Sequence, residues 1–106
     1  MKDGENIEYY PGGEIYSKSN YLDGKRVGEH IKYYSSGEIL SNRNYLEGNL
    51  HGEFTRYYIS GEVECKYNYL GDNRHGESTF YGRSGDILTI WYYIDGKSIT
   101  ELEWIS

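Results

Sequence analysis

The side chains with the widest chemical reach are three histidines, His30, His51 and His75, and the single cysteine Cys65. Imidazole and thiolate make a zinc donor set, and a cysteine beside an imidazole makes a thiol nucleophile. The spacing here spells neither. His51 and His75 occupy one position of a repeat, each before Gly-Glu, where the first copy has Val27. They fall about two strands apart with no further ligand recurring beside them, which predicts a structural or solvated-turn role. Cys65 aligns with Ser17, Ser41 and Thr89. A position that always takes a small side chain reads as packing, whereas a nucleophile needs an electropositive, exposed setting. The segment Asp95-Gly96-Lys97-Ser98 ends like a phosphate loop without the upstream glycine spacing. Glu29, Glu53 and Glu77 follow Gly28, Gly52 and Gly76 too regularly to build the one asymmetric constellation that catalysis requires. The expectation is a protein that is not an enzyme and holds no metal or cofactor.

The same regularity describes the elements. Gly13, Gly37, Gly61 and Gly85 are 24 residues apart, as are Tyr21, Tyr45, Tyr69 and Tyr93. About four units and a C-terminal half-unit fill residues 1–106 as one repeat domain, with no linker. Each unit carries two turn signals. The first is a three-residue loop ending in glycine (Pro11-Gly12-Gly13, Ser35-Ser36-Gly37, Ile59-Ser60-Gly61, Arg83-Ser84-Gly85), which suits a type I turn closed by a left-handed residue. The second surrounds Asp23-Gly24, Glu47-Gly48, Gly71-Asp72 and Asp95-Gly96. Runs rich in Tyr, Ile and Thr between the turns read as strands. The fold class is all-β: an antiparallel meander of hairpins, about nine strands in a strongly twisted open sheet, roughly 40 Å wide at strand spacing.

Composition limits the partners. With 11 Lys and Arg against 17 Asp and Glu the formal net charge is −6. That balance predicts no direct contact with nucleic acid, which requires a basic face, and makes a membrane surface an unfavourable partner. The opening MKDGENIEYYPGG holds no apolar signal region and no run reaches transmembrane length, so a cytoplasmic location is expected. Fourteen tyrosines and two tryptophans supply the apolar area that sparse Leu, Val and Phe do not.

The first loop predicts a register. With Tyr34 opposite Glu38, Tyr33 faces Ile39, Ile31 faces Ser41 and Glu29 faces Arg43 as a cross-strand pair. Alternation then places Tyr33, Ile31, Ile39, Ser41 and Tyr45 on one buried face, with Lys32, Glu38, Asn42 and Asn44 on a polar one. The second turn needs an odd loop or a bulge to keep the faces consistent. Gly28, Gly52 and Gly76 stand at strand starts, where a tyrosine ring can cover the bare backbone.

The phrase Tyr-Tyr-x-x-Gly-Glu-Ile, a later Tyr and then Gly-x-x-x-Gly-Glu, seen best in HGEFTRYYISGEV at 51–63, resembles the MORN-repeat variant proteins of bacteria. The resemblance covers nearly the whole chain and implies a meandering sheet of hairpins. Where such proteins have an assigned role, it is that of an antitoxin or immunity protein. The last unit departs from the pattern: Tyr58 becomes Gly82, Gly52 becomes Thr100, and Glu14 becomes Asp86.

Those departures nominate a site. Lys32 and Arg56 give way to Phe80 and then Trp104, Glu64 to Leu88, Lys66 to Ile90, Asn68 to Tyr92, and His30 to Leu102. The predicted register puts Phe80, Leu88, Ile90, Tyr92, Leu102 and Trp104 on one face, either a self-packed cap, a homodimer seam or a partner-binding patch. Glu38, Glu62, Glu64 and Asp86 would complement a basic partner. The functional expectation is a non-catalytic inhibitor of antitoxin or immunity type that covers the cleft of a toxin or nucleic-acid-acting enzyme. A phage-encoded inhibitor of a defence nuclease, of anti-CRISPR type, uses the same physics. A structural scaffold or membrane-associated repeat module is the expectation from another class.

Overall fold

Two kinds of turn alternate along the chain and fix everything between them. In the first, the Tyr34 N–H donates to the Glu38 carbonyl (2.8 Å) and the Gly37 N–H to the Tyr34 carbonyl (2.9 Å), and the Tyr10, Tyr58 and Gly82 loops repeat this. Gly37 closes the turn at φ +103°, a conformation that side chains rarely adopt. In the second, Asp23 and Gly24 both have positive φ (52° and 77°), as the two-residue hairpin loop of matched twist requires.

The computed structural model describes residues 3–105. Its strands are β1 (Gly4–Tyr9), β2 (Ile15–Leu22), β3 (Lys25–Arg26), β4 (Gly28–Tyr33), β5 (Ile39–Leu46), β6 (Asn49–Leu50), β7 (Gly52–Tyr57), β8 (Val63–Leu70), β9 (Asn73–Arg74), β10 (Gly76–Tyr81), β11 (Ile87–Ile94) and β12 (Lys97–Ile99), followed by the short helix α1 (Glu101–Ile105). They form one 12-stranded antiparallel sheet. The path β1-β2-β4-β5-β7-β8-β10-β11-β12 is the expected meander of nine; β3, β6 and β9 are two-residue strands that pair with β2, β5 and β8.

The register departs from the expected one after a single pair. Tyr33 faces Ile39 as predicted, but a bulge follows, so that Lys32 faces Ser41, Ile31 faces Asn42, His30 faces Arg43 and Glu29 faces Asn44. The extra residue is Leu40, and the same slip occurs at Tyr16, Glu64 and Leu88. Because side chains alternate, one inserted residue exchanges the faces of everything beyond it. The predicted grouping of Ile31 with Ser41 and Tyr45 is therefore overturned. Glu29 does not reach Arg43; its carboxylate accepts from Asn42 Nδ2 at 2.8 Å.

The second turn keeps the parity by a different device from an odd loop. Leu22 faces Lys25 directly, and Tyr21 faces Arg26. The next pair along the two strands is Lys18 with Ile31, so the returning chain has gained two residues. Gly28 absorbs them at φ +66°. A Cβ placed on Gly28 or Gly52 would meet nothing within 4 Å. Tyr45 and Tyr69 do stand opposite these glycines, but the backbone dihedral, not a covering ring, demands glycine there.

Two rows of side chains cross the strands. One runs Glu8, Ser17, Lys32, Ser41, Arg56, Cys65, Phe80, Thr89. The other, on the reverse side, runs Ile7, Lys18, Ile31, Asn42, Thr55, Lys66, Thr79, Ile90. In the first row small and long residues alternate, and the long ones roof the small ones: Ser17 and Ser41 are 1% and 0% exposed.

No face is buried in the ordinary sense. The molecule measures 47 × 36 × 15 Å, a single layer whose long dimension is near the predicted width. Among the described residues the buried hydrophobic side chains are Tyr21 and Cys65, alongside Ser17, Ser19, His30, Ser41, Thr55, Ser78 and Thr79. The expected Tyr and Ile core is not formed, because the bulge divides those residues between two open surfaces.

Candidate functional site

The bulge also decides the predicted C-terminal patch. Phe80 faces Thr89, while Ile90 faces Thr79 and Tyr92 faces Glu77. Phe80 and Ile90 are thus on opposite sides of the sheet, and the six residues do not share a face. Leu88 lies against Gly82, where an added Cβ would come 3.4 Å from its Cδ2. As the bulged residue, Leu88 leans to the Phe80 side, like Glu64, whose carboxylate meets Arg56 Nε at 3.0 Å, and Tyr16, whose ring lies under Lys32 Nζ at 6.0 Å.

Leu102 and Trp104 are not on a strand at all. Thr100 caps α1: its N–H donates to Glu103 Oε1 (2.9 Å), and its Oγ1 accepts from the Glu103 N–H (3.1 Å). This reciprocal capping box explains why threonine replaces the glycine of earlier units. The helix lays Trp104 on the reverse face, 6.1 Å from the Tyr92 ring and 6.2 Å from His75. Tyr92 and Trp104 are brought together; Leu102 points outward at 72% exposure.

The predicted acidic residues are held at separate places. Ser36 Oγ donates to the Glu38 carboxylate and Ser60 Oγ to that of Glu62, which holds both carboxyls below the usual range. Asp86 accepts from Ser84 at 3.1 Å in the equivalent loop. Glu64 is occupied by Arg56.

The register instead assembles a surface that the sequence reading missed. The face carrying Lys32 and Ser41 also carries Arg26, Arg43, Arg56 and Arg74, with Glu8 and Glu64 as its acids. The reverse face carries Glu5, Glu29, Glu53 and Glu77 with Lys18, Lys25, Lys66 and Lys97. The cations are set among rings. Arg26 Nε donates to the Tyr21 hydroxyl (3.0 Å) and its Nη1 to that of Tyr45 (3.3 Å). Arg43 sits 4.8 Å from the centre of Phe54, Phe54 stacks on Tyr67 at 5.3 Å and 9°, and Arg74 lies 4.0 Å from Tyr67. Guanidinium over an aromatic face is attractive and keeps both groups ordered. Phe80, Leu88 and Trp91 continue this face past the last cation; Leu88 and Trp91 are 68% and 51% exposed.

His30 lies within this field. Burial, then the charges of Arg26, Arg43 and Lys32, lower its pKa to about 4. It is neutral at pH 7, with Nδ1 lacking a hydrogen-bond partner among the described residues. Cys65 has the packing role expected of it: it is 4% exposed, and burial raises its thiol pKa. Burial and a bond to Cys65 raise the neighbouring Tyr67 hydroxyl to about 12. Among the described residues no cluster of His, Cys, Asp and Glu could hold a metal ion, and no helix is long and apolar enough to cross a membrane.

The period, the loops and the pairing agree with what sequence comparison returns. The MORN repeat variant model matches residues 2–23, 26–47 and 50–70, the first three units. No curated protein matches the chain. The matched stretches cover more than half of the sequence and coincide with the hairpins that keep the Tyr-Tyr and Gly-Glu phrases; the chain belongs to the MORN repeat variant family.

Proposed function

We propose that this chain is a non-catalytic protein-binding module whose open sheet is covered by a partner. The observation that carries this is the single 15 Å layer with exposed Leu88 and Trp91 on a face of ordered rings. Sheets in stable domains bury a face against a second layer, and exposed aromatic side chains on a rigid surface make effective anchors. The finer reading is an inhibitor of antitoxin or immunity type that lies over the cleft of a toxin or nucleic-acid-acting enzyme. A single-layer sheet 47 Å long suits the covering of a cleft, and the family resemblance carries the same expectation.

The test is capture from the native host by the wild-type protein and by a Leu88→Asp, Trp91→Asp variant shown by circular dichroism to keep its strands. One predominant protein is expected with wild type and not with the variant. When purified, that protein should lose its own activity on adding one equivalent of the wild-type chain. Equal capture by both proteins, or a captured protein whose activity is untouched, overturns the binding site or the inhibitor reading respectively.

A further inference from the structure

We propose that the face built by Arg26, Lys32, Arg43, Arg56 and Arg74 docks an acidic polypeptide segment of the partner; this rests on the protein-binding reading above. Among the described residues the face carries five cations against Glu8 and Glu64, although the whole chain has a net charge of −6. The acids of the reverse face, Glu5, Glu29, Glu53 and Glu77, point away from it. With a screening length of about 8 Å at physiological salt, an approaching group senses the nearest cations more strongly than the total charge.

A second copy of the chain does not fit this face. A two-fold dimer through it would set the five cations against their own images.

The surroundings favour a polypeptide over a nucleic acid. The cationic strip is bounded at the two hairpin ends by acidic loops, Glu14, Glu38, Glu62 and Asp86 on one side and Asp23, Glu47, Asp72 and Asp95 on the other. A polyanion has no group to offer those rims, whereas a peptide can carry carboxylates centrally and lysines beside them. Lys32 on β4 and Arg56 on β7 are two strands apart in the sheet, about 10 Å. A polyproline-II-like segment presents every third side chain to one side at a rise of about 9 Å, so glutamates three residues apart match the pair.

The experiment titrates the isotope-labelled full chain, followed by NMR, with a synthetic peptide bearing glutamate at every third position and lysines at both ends. The controls are its glutamine counterpart and a single-stranded oligonucleotide. Saturable shifts are expected around residues 26–32, 41–45, 54–56 and 74. Binding should weaken at least tenfold in Lys32→Gln, Arg56→Gln and in 0.5 M salt, with Lys18→Gln, Lys66→Gln as the unaffected reverse-face control. Equal binding of the glutamine peptide, tighter binding of the oligonucleotide, shifts confined to the reverse face, or none at millimolar peptide each overturn the proposal. The protein-binding reading is tested separately, since Leu88→Asp, Trp91→Asp leaves all five cations in place.

Discussion

In the first three units the second tyrosine of each Tyr-Tyr pair reaches into its neighbour. The hydroxyls of Tyr10, Tyr34 and Tyr58 donate to the carbonyls of Tyr33, Tyr57 and Tyr81 at 2.7, 2.6 and 2.7 Å. The fourth unit has Gly82 at that place, and the carbonyl that a tyrosine there would reach, one repeat on, falls at Ile105 in α1. The polar floor changes with it. Ser17 and Ser41 are sealed by the long side chains of flanking strands, whereas Thr89 has a neighbour on one side only and is exposed. The comparison shows how a repeat is closed. An internal unit takes its hydrogen bonds and its roofing from the next copy, and a terminal one dispenses with the residues that need that copy and ends in a capped helix. Its freed positions carry Phe80, Leu88 and Trp91, the apolar end of the cationic face.

The largest test of this contrast is steric. Ser41→Leu inserts a bulky side chain into a site with no exposure between Lys32 and Arg56, and should lower the unfolding free energy by up to about 3 kcal/mol in urea titrations. Thr89→Leu, the matching change in the terminal unit, should stay within about 0.5 kcal/mol. Equal losses would show that the floor is not roofed by neighbouring units.

The next test is electrostatic. The folded pKa of His30, about 4, lies below its ordinary 6.5, so the unfolded chain takes up the proton first. The contribution is complete above pH 6.5 and is lost as the pH falls through about 4, an effect on the order of 3 kcal/mol. Thermal melts from pH 7 to pH 4 should show this decline, and His30→Phe should flatten it. An unchanged slope would place His30 in solvent and break up the cationic cluster described around it.

Smaller effects separate the ladder from its end. Tyr34→Phe removes one hydroxyl bond and should cost about 1 kcal/mol, while Gly82→Tyr should gain nothing measurable. A stabilised Gly82→Tyr would mean that the fourth unit finds an acceptor despite α1. Thr100→Ala should release the helix cap, worth about 0.5–1 kcal/mol, and red-shift Trp104 emission as its contact with Tyr92 loosens. Global stability should move less than the fluorescence does.

Much of the fold could be read from the sequence because its signals are local. The glycine that ends each first loop, the Asp-Gly and Glu-Gly pairs and the 24-residue interval specify hairpins without reference to anything distant. Thr-Glu-Leu-Glu at 100–103 also carried the capping-box pattern, although the expectation there was a strand. The bulge was not readable, because its four positions hold a tyrosine (Tyr16), two leucines (Leu40 and Leu88) and a glutamate (Glu64), with no common chemistry to mark it. Missing it split the predicted patch and hid the gathering of cations, which net charge cannot report.

The sequence by itself determined the repeat, its turns and the end of the pattern, since each depends on backbone preferences spanning a few residues. Only the tertiary structure decided which side chains share a surface. Facing in a sheet is a parity, and a single inserted residue, stabilised by pairing with the adjacent strand, reverses it for Lys32, Ser41 and every residue aligned with them.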